Sequence, residues 1–100
     1  MKETRKIEIV IDRRQAPSIV KIFEDHSLSG WTRLRVEAGA GERGVRRDDE
    51  ISGASSASLL LTTCRPEKLD ALLEDLRPIL KRFGGMCLVS EASWLIPRDD

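Results

Sequence analysis

One hundred residues is the length of one domain, with two structural layers around a modest core and no room for a catalytic cleft between separate domains, so residues 1–100 are read as a single unit built for binding or assembly. Seventeen Lys and Arg balance seventeen Asp and Glu, which leaves no overall field toward a phosphodiester polymer or an anionic membrane surface and disfavours general nucleic-acid binding. Hydrophobic residues at 40% and charged residues at 34% are ordinary for a soluble globular chain, and the apolar runs stop far short of the ~20 residues of a membrane span.

The first residues, Met1 to Lys6, are charged and lead into an alternating stretch rather than the apolar core of a signal peptide, which points to a cytoplasmic location. From Lys6 to Asp12, isoleucines at 7, 9 and 11 repeat with the period of a strand that buries one face. Pro17 is tolerated in a first helical turn, and Ile19, Ile22 and Phe23 at i, i+3 and i+4 predict a short amphipathic helix. That helix closes in Ser27-Leu28-Ser29-Gly30, where the glycine can take the left-handed conformation of a C-cap. Trp31 to Ala38 predicts a second strand with Thr32, Leu34 and Val36 on one face and Trp31, Arg33, Arg35 and Glu37 on the other. Ala57 to Thr63, with a continuous apolar centre, predicts a third and well-covered strand. Pro66 opens a second helix in which Leu69, Leu72, Leu73, Leu76, Ile79, Leu80 and Phe83 keep helical spacing; Pro78 is expected to bend it and Gly84-Gly85 to end it. Met86 to Leu95 predicts a fourth strand, closed by Pro97.

The predicted order is therefore β-α-β-β-α-β, an α+β, ferredoxin-like sandwich in which two helices cover one face of a four-stranded antiparallel sheet. The other face is then polar or meets another subunit. Trp31 and Trp94, both near strand ends, are candidates for such a contact or simply complete their own core. Cys64 and Cys87 are too few for a disulfide framework or a zinc site and read as small buried hydrophobes, while His26 reads as a packing residue on the rim of a helix stripe. No metal ligand set and no catalytic residues are expected, because no paired carboxylates and no nucleophile with its base stand out.

Between the second and third strands lies a connection of about residues 39–56, far longer than the 2–5 residues usual for a hairpin. Its front, Gly39-Ala40-Gly41-Glu42-Arg43-Gly44-Val45-Arg46-Arg47, interleaves glycines with arginines. Glycines let backbone amides approach a ligand, and guanidinium forks grip phosphate or carboxylate oxygens, so an anion is the natural guest. Asp48-Asp49-Glu50 follows with the opposite sign and reads either as a solvated run or as a partner for those arginines.

With Gly30-Trp31-Thr32 entering the second strand, Gly39 to Arg46 opening a long loop and a small polar stretch re-entering the third strand, the chain from about Lys6 to Leu95 resembles the PII-like signalling proteins. Within them it is most similar to the branch of SbtB and the carboxysome-associated PII proteins. The resemblance implies a homotrimer with an adenine nucleotide in each intersubunit cleft and a long T-loop that changes order with the ligand and docks on a target, commonly a membrane transporter. Carried over by position, Gly39 and Gly41 form the loop base near the phosphates, Arg43 and Arg46 grip them, and Thr32 meets the nucleotide. Gly84 and Gly85 stand in for the phosphate-facing B-loop, and Arg47, Asp48, Asp49 and Glu50 are left to contact the partner. The short Phe83-Gly84-Gly85-Met86 turn lacks the longer Gly-Asp-Gly-Lys stretch of nitrogen-regulatory members, which favours AMP or ADP over a magnesium-bound ATP, with cyclic AMP a further candidate. The chain has no tyrosine, so uridylylation is impossible, and no C-terminal cysteine pair, so the redox tail of some SbtB proteins is missing.

The expected function is thus a non-enzymatic sensor of ADP or AMP, with bicarbonate as a second anion, that regulates a bicarbonate transporter or associated carbon-uptake protein through the T-loop. Two other readings use the same topology. An RNA-binding module would stack bases on open-face aromatics, but the chain has four aromatics and two of them, Phe23 and Phe83, lie on helix stripes. A metal-tolerance relative would group His, Cys or Met ligands in the loop, and the loop contains none.

Overall fold

The computed structural model describes residues 1–28, 30–41, 44–47 and 56–97, with the backbone alone at 38–41 and 44–47. Its elements are β1 (Lys2–Asp12), α1 (Ala16–Asp25), β2 (Trp31–Val36), β3 (Ala38–Gly41), β4 (Gly44–Arg47), β5 (Ala57–Cys64), α2 (Leu69–Phe83) and β6 (Met86–Trp94). Four strands form one antiparallel sheet in the order β2-β5-β1-β6, and β3 pairs with β4 in a separate two-stranded ribbon. Apart from that ribbon the chain is the expected ferredoxin-like β-α-β-β-α-β sandwich.

The alternation in β1 builds the core. Ile7, Ile9 and Ile11 are fully buried, and register sets Ile9 between Leu60 and Cys87 and Ile7 between Thr62 and Val89. Ile19 and Phe23 of α1 and Leu72 and Leu76 of α2 close over them, each at 0% exposure. Each such aliphatic or aromatic side chain contributes roughly 1.5–3 kcal/mol by leaving water, so this layer carries most of the stability of the chain.

Several boundaries differ from the sequence expectation. β1 starts at Lys2 rather than Lys6, because its charged first half pairs backbone to backbone with the end of β6, from Lys2 opposite Trp94 onward, and a ladder of that kind needs no apolar period. Both helices begin with a 3-10 turn, at Arg13–Gln15 and Pro66–Lys68; at the first, the Asp12 carboxylate accepts from the Arg14 amide at 2.9 Å. α1 closes without the help of Gly30. Ser27 itself takes φ 60, with its amide donating to Glu24 O and the Leu28 amide to Phe23 O, both at 2.9 Å. These are the two bonds of a Schellman motif, and buried Leu28 supplies its hydrophobic contact. α2 runs through Pro78 to Phe83, where the Gly84 amide donates to Leu80 O at 2.9 Å. β2 ends at Val36 and not at Ala38, and β6 ends at Trp94 and not at Leu95.

The second face of the sheet is not covered by its own helices. Met86, Val10, Leu59 and Leu34 form a row across all four strands, and Leu88, Glu8, Leu61 and Thr32 form the next. Leu34, Leu88 and Met86 are 51%, 54% and 46% exposed. By register Trp94 belongs to this face, whereas Trp31, opposite Thr62, belongs to the helix side of the edge strand.

Candidate functional site

One end of the sheet gathers most of the features that the sequence singles out. Val36, the last residue of β2, pairs with Ala57, the first of β5, and Ala57 pairs with Asp12 at the end of β1. The long connection therefore leaves and re-enters the sheet beside the C-terminal end of β1. Met86 of β6 pairs with Val10, which brings the turn after α2 to the same end. Gly84 has φ 76 and Gly85 φ 109, and a Cβ on Gly85 would stand 2.7 Å from Val10 O and 3.3 Å from Ile11 Cγ1. Only glycine fits there: the left-handed backbone and the near-contact with a main-chain carbonyl each exclude a side chain.

The glycine-arginine stretch is not wholly irregular. Ala38–Gly41 and Gly44–Arg47 pair antiparallel, with Gly39 opposite Arg46, Gly41 opposite Gly44 and Ala38 opposite Arg47. The proposed loop-base glycine and one proposed phosphate-gripping arginine are thus cross-strand neighbours in backbone register. Arg43, Asp48, Asp49 and Glu50 lie outside the described residues. Thr32 is elsewhere: it is the second residue of β2, opposite Leu61, on the uncovered face. From the Gly84-Gly85 turn, at the head of β6, it is three strands across and about three residues along, on the order of 18 Å from strand spacing and rise. Within one chain, Thr32 and the two turn glycines do not share a site.

Sequence reasoning missed a cleft of about 400 Å3 lined by Arg13, Arg33, Arg35, Ser56, Ala57 and Ser58. The alternation of β2 puts Arg33 opposite Leu60 and Arg35 opposite Ser58 on the helix side, at the margin of the sheet. Arg33 Nε donates to Ser58 Oγ at 3.1 Å and its terminal nitrogen to Arg13 O at 3.2 Å. A usable signal was present in the i, i+2 spacing of Arg33 and Arg35, but Arg13 and the serines join them only through the β1–β5–β2 register.

His26 Nε2 is 2.6 Å from Asp75 Oδ2, and Lys68 Nζ donates to His26 O at 3.2 Å, so the C-terminus of α1 is tied to α2 and its approach. The orienting carboxylate not foreseen in the sequence is thus present, and among the described residues no nucleophile is bonded to the ring. Burial raises the pKa of the Cys64 thiol, which Lys68 and Arg5 partly oppose, and burial likewise raises that of Cys87. Both stay protonated at neutral pH and are poor nucleophiles. No helix among the described residues is long and apolar enough to cross a membrane.

The profile of the family described as nitrogen regulatory protein P-II matches residues 4–96. Among solved structures, the chain is similar to CPII, a nitrogen regulatory PII-like protein from Thiomonas intermedia bound to ADP, AMP and bicarbonate, with TM-score 0.83 and 16% identity over 92% of this chain and 88% of that one. A PII-like signalling protein from Thermus thermophilus matches with TM-score 0.74 and 16% identity, covering 91% of this chain and 88% of that one. The Bacillus subtilis GlnK–ATP complex matches with TM-score 0.66 and 17% identity, covering 93% and 85%. No curated protein sequence matches the chain.

Proposed function

The chain belongs to the nitrogen regulatory protein P-II family, whose members are signalling proteins, and from that premise we propose that it is a cytoplasmic, non-enzymatic sensor that binds ADP or AMP in clefts between the subunits of a homotrimer. The observation that carries this reading is the separation of Thr32 from Gly84-Gly85. Thr32 stands on an uncovered face on the order of 18 Å from the glycine turn. A second chain seated on that face can bring its own Thr32 to the turn and the loop base, which no movement within one sheet achieves. Gly39, Gly41, Arg43 and Arg46 then supply amides and guanidinium forks to the phosphates at the base of the T-loop. Binding energy orders the loop, and a partner that reads Arg47, Asp48, Asp49 and Glu50 responds to the nucleotide.

CPII, bound to ADP, AMP and bicarbonate, supports ADP and AMP as the ligands, with bicarbonate as a second anion. ATP and cyclic AMP belong in the same test. The output in this reading is inorganic carbon uptake, through a membrane bicarbonate transporter or a protein associated with it, in the manner of the SbtB branch.

Calorimetric titration with AMP, ADP, ATP and cyclic AMP, with and without bicarbonate, tests the proposal. The expected result is saturable binding near one nucleotide per chain, weakened by about 1.5–3 kcal/mol in Arg43→Ala and in Arg46→Ala through loss of charge-assisted bonds. A folded trimer that gives no heat with any nucleotide, or unchanged affinity in both variants, overturns it.

A further inference from the structure

Thr62 is not among the groups assigned to the nucleotide above, and it lies on the helix side of the sheet, opposite Ile7 and Trp31. It is 3% exposed, and its hydroxyl donates to Gly30 O at 2.6 Å. We propose that Thr62 is a positioning residue of the nucleotide site: through Gly30 it holds the entry to β2, and with it Thr32, in the place where the ligand meets it. The inference rests on the reading of Thr32 as a nucleotide contact.

β2 has little else to hold its first residues. It is the edge strand beside β5, and every residue from Trp31 to Arg35 is exposed, so burial contributes little to keeping it in place. Local opening costs least where apolar contacts are few, and the end of such a strand frays first. Thr32 is the second residue of β2 and falls within that end. The bond from Thr62 reaches the residue just before the ladder begins, and so closes the end that would otherwise open.

The connection that leads into β2 is anchored at its other end as well. Lys68 Nζ donates to His26 O at 3.2 Å, His26 Nε2 lies 2.6 Å from Asp75 Oδ2, and Leu28 is 3% exposed within the core. Gly30 has no side chain of its own to restrict it and would keep wide rotational freedom. The Thr62 hydroxyl removes that freedom by fixing the Gly30 carbonyl, and with it the plane of the peptide that Gly30 shares with Trp31. A contact ordered in this way before the ligand arrives costs less to form on binding, because the competent arrangement is already the populated one.

The test compares ADP affinity by calorimetric titration in the wild-type chain and in Thr62→Val, Thr62→Ser, Thr32→Val and Thr4→Val, with urea unfolding and light scattering on each. Thr4→Val is the matched control: that hydroxyl, in a residue also 3% exposed, donates to Cys64 O at 2.9 Å, so the same kind of bond is lost away from β2. Affinity should fall roughly fivefold in Thr62→Val, the net contribution of one hydrogen bond. It should stay at the wild-type level in Thr4→Val and return in Thr62→Ser. In Thr62→Val/Thr32→Val the two losses should not add, because one acts through the other. Amide hydrogen exchange at Trp31 and Thr32 should quicken in Thr62→Val and not in Thr4→Val. Thr62→Ala takes the place of the valine variant if that one does not fold. Wild-type affinity or unchanged exchange in the folded Thr62 variant, an equal loss in Thr4→Val, or additive losses in the double variant each overturn the proposal; the nucleotide site then still stands if Thr32→Val weakens binding. No ADP binding by the wild-type chain, or none of it lost in Thr32→Val, overturns both.

Discussion

The two faces of the central sheet are made by the same strands and have opposite fates. On one, Ile7, Ile9, Ile11 and Leu60 are 0% exposed beneath α1 and α2; on the other, Leu34 and Leu88 are 51% and 54% exposed although their rows are just as apolar in part. The difference lies in the supply of covering elements. Two amphipathic helices of 10 and 15 residues suffice for one side of four strands, and an apolar surface left over is one that another chain can bury. The helix face makes the fold, and the uncovered face is where the proposed assembly begins.

The sharpest way to break this contrast is in the helix-covered core. Leu76→Ala, at 0% exposure against the isoleucine face, should lower unfolding free energy by about 2–5 kcal/mol in urea titration. A loss below about 1 kcal/mol, nearer to what a surface change costs, would mean that the core is not where the stability lies. Next in size is Gly85→Ala. The φ of 109 and the 2.7 Å approach to Val10 O should cost about 1–3 kcal/mol, read by the same titration, and should also weaken nucleotide binding if the turn faces the phosphates. The smallest effect belongs to Ser27→Gly. Relief of the left-handed backbone at φ 60, partly offset by added freedom in the unfolded chain, should stabilise by about 0.5 kcal/mol, visible as a small rise in melting temperature.

What could be read in the sequence follows the same division. Ile7, Ile9 and Ile11 and the leucine stripe of α2 announce their elements because a buried face must repeat at the period of the backbone that carries it. The first half of β1 and the β3–β4 ribbon were not legible. Lys2 to Lys6 and Ala38 to Gly41 pair through the backbone without an apolar period, and glycine carries no strand propensity to announce a ladder. The end of α1 was misread for a related reason: a Schellman turn asks for a left-handed residue at a set place, and Ser27 stood there while the glycine came three positions later. Of the candidate site, Gly84-Gly85 was legible as a helix stop. The three-arginine cleft was not, because Arg13 and Arg33 are twenty residues apart in the chain and only strand order joins them.

The claim on which the account turns is that nucleotide binding needs the uncovered face occupied by another chain. The most direct test compares ADP titrations of the wild-type protein and of Leu34→Asp/Leu88→Asp, with the mass of each measured by light scattering. The account predicts a wild-type trimer, three times 11.2 kDa, that binds ADP, and a variant that remains folded by circular dichroism at the mass of one chain and no longer binds it. A folded single chain that binds ADP with wild-type affinity would contradict the intersubunit site.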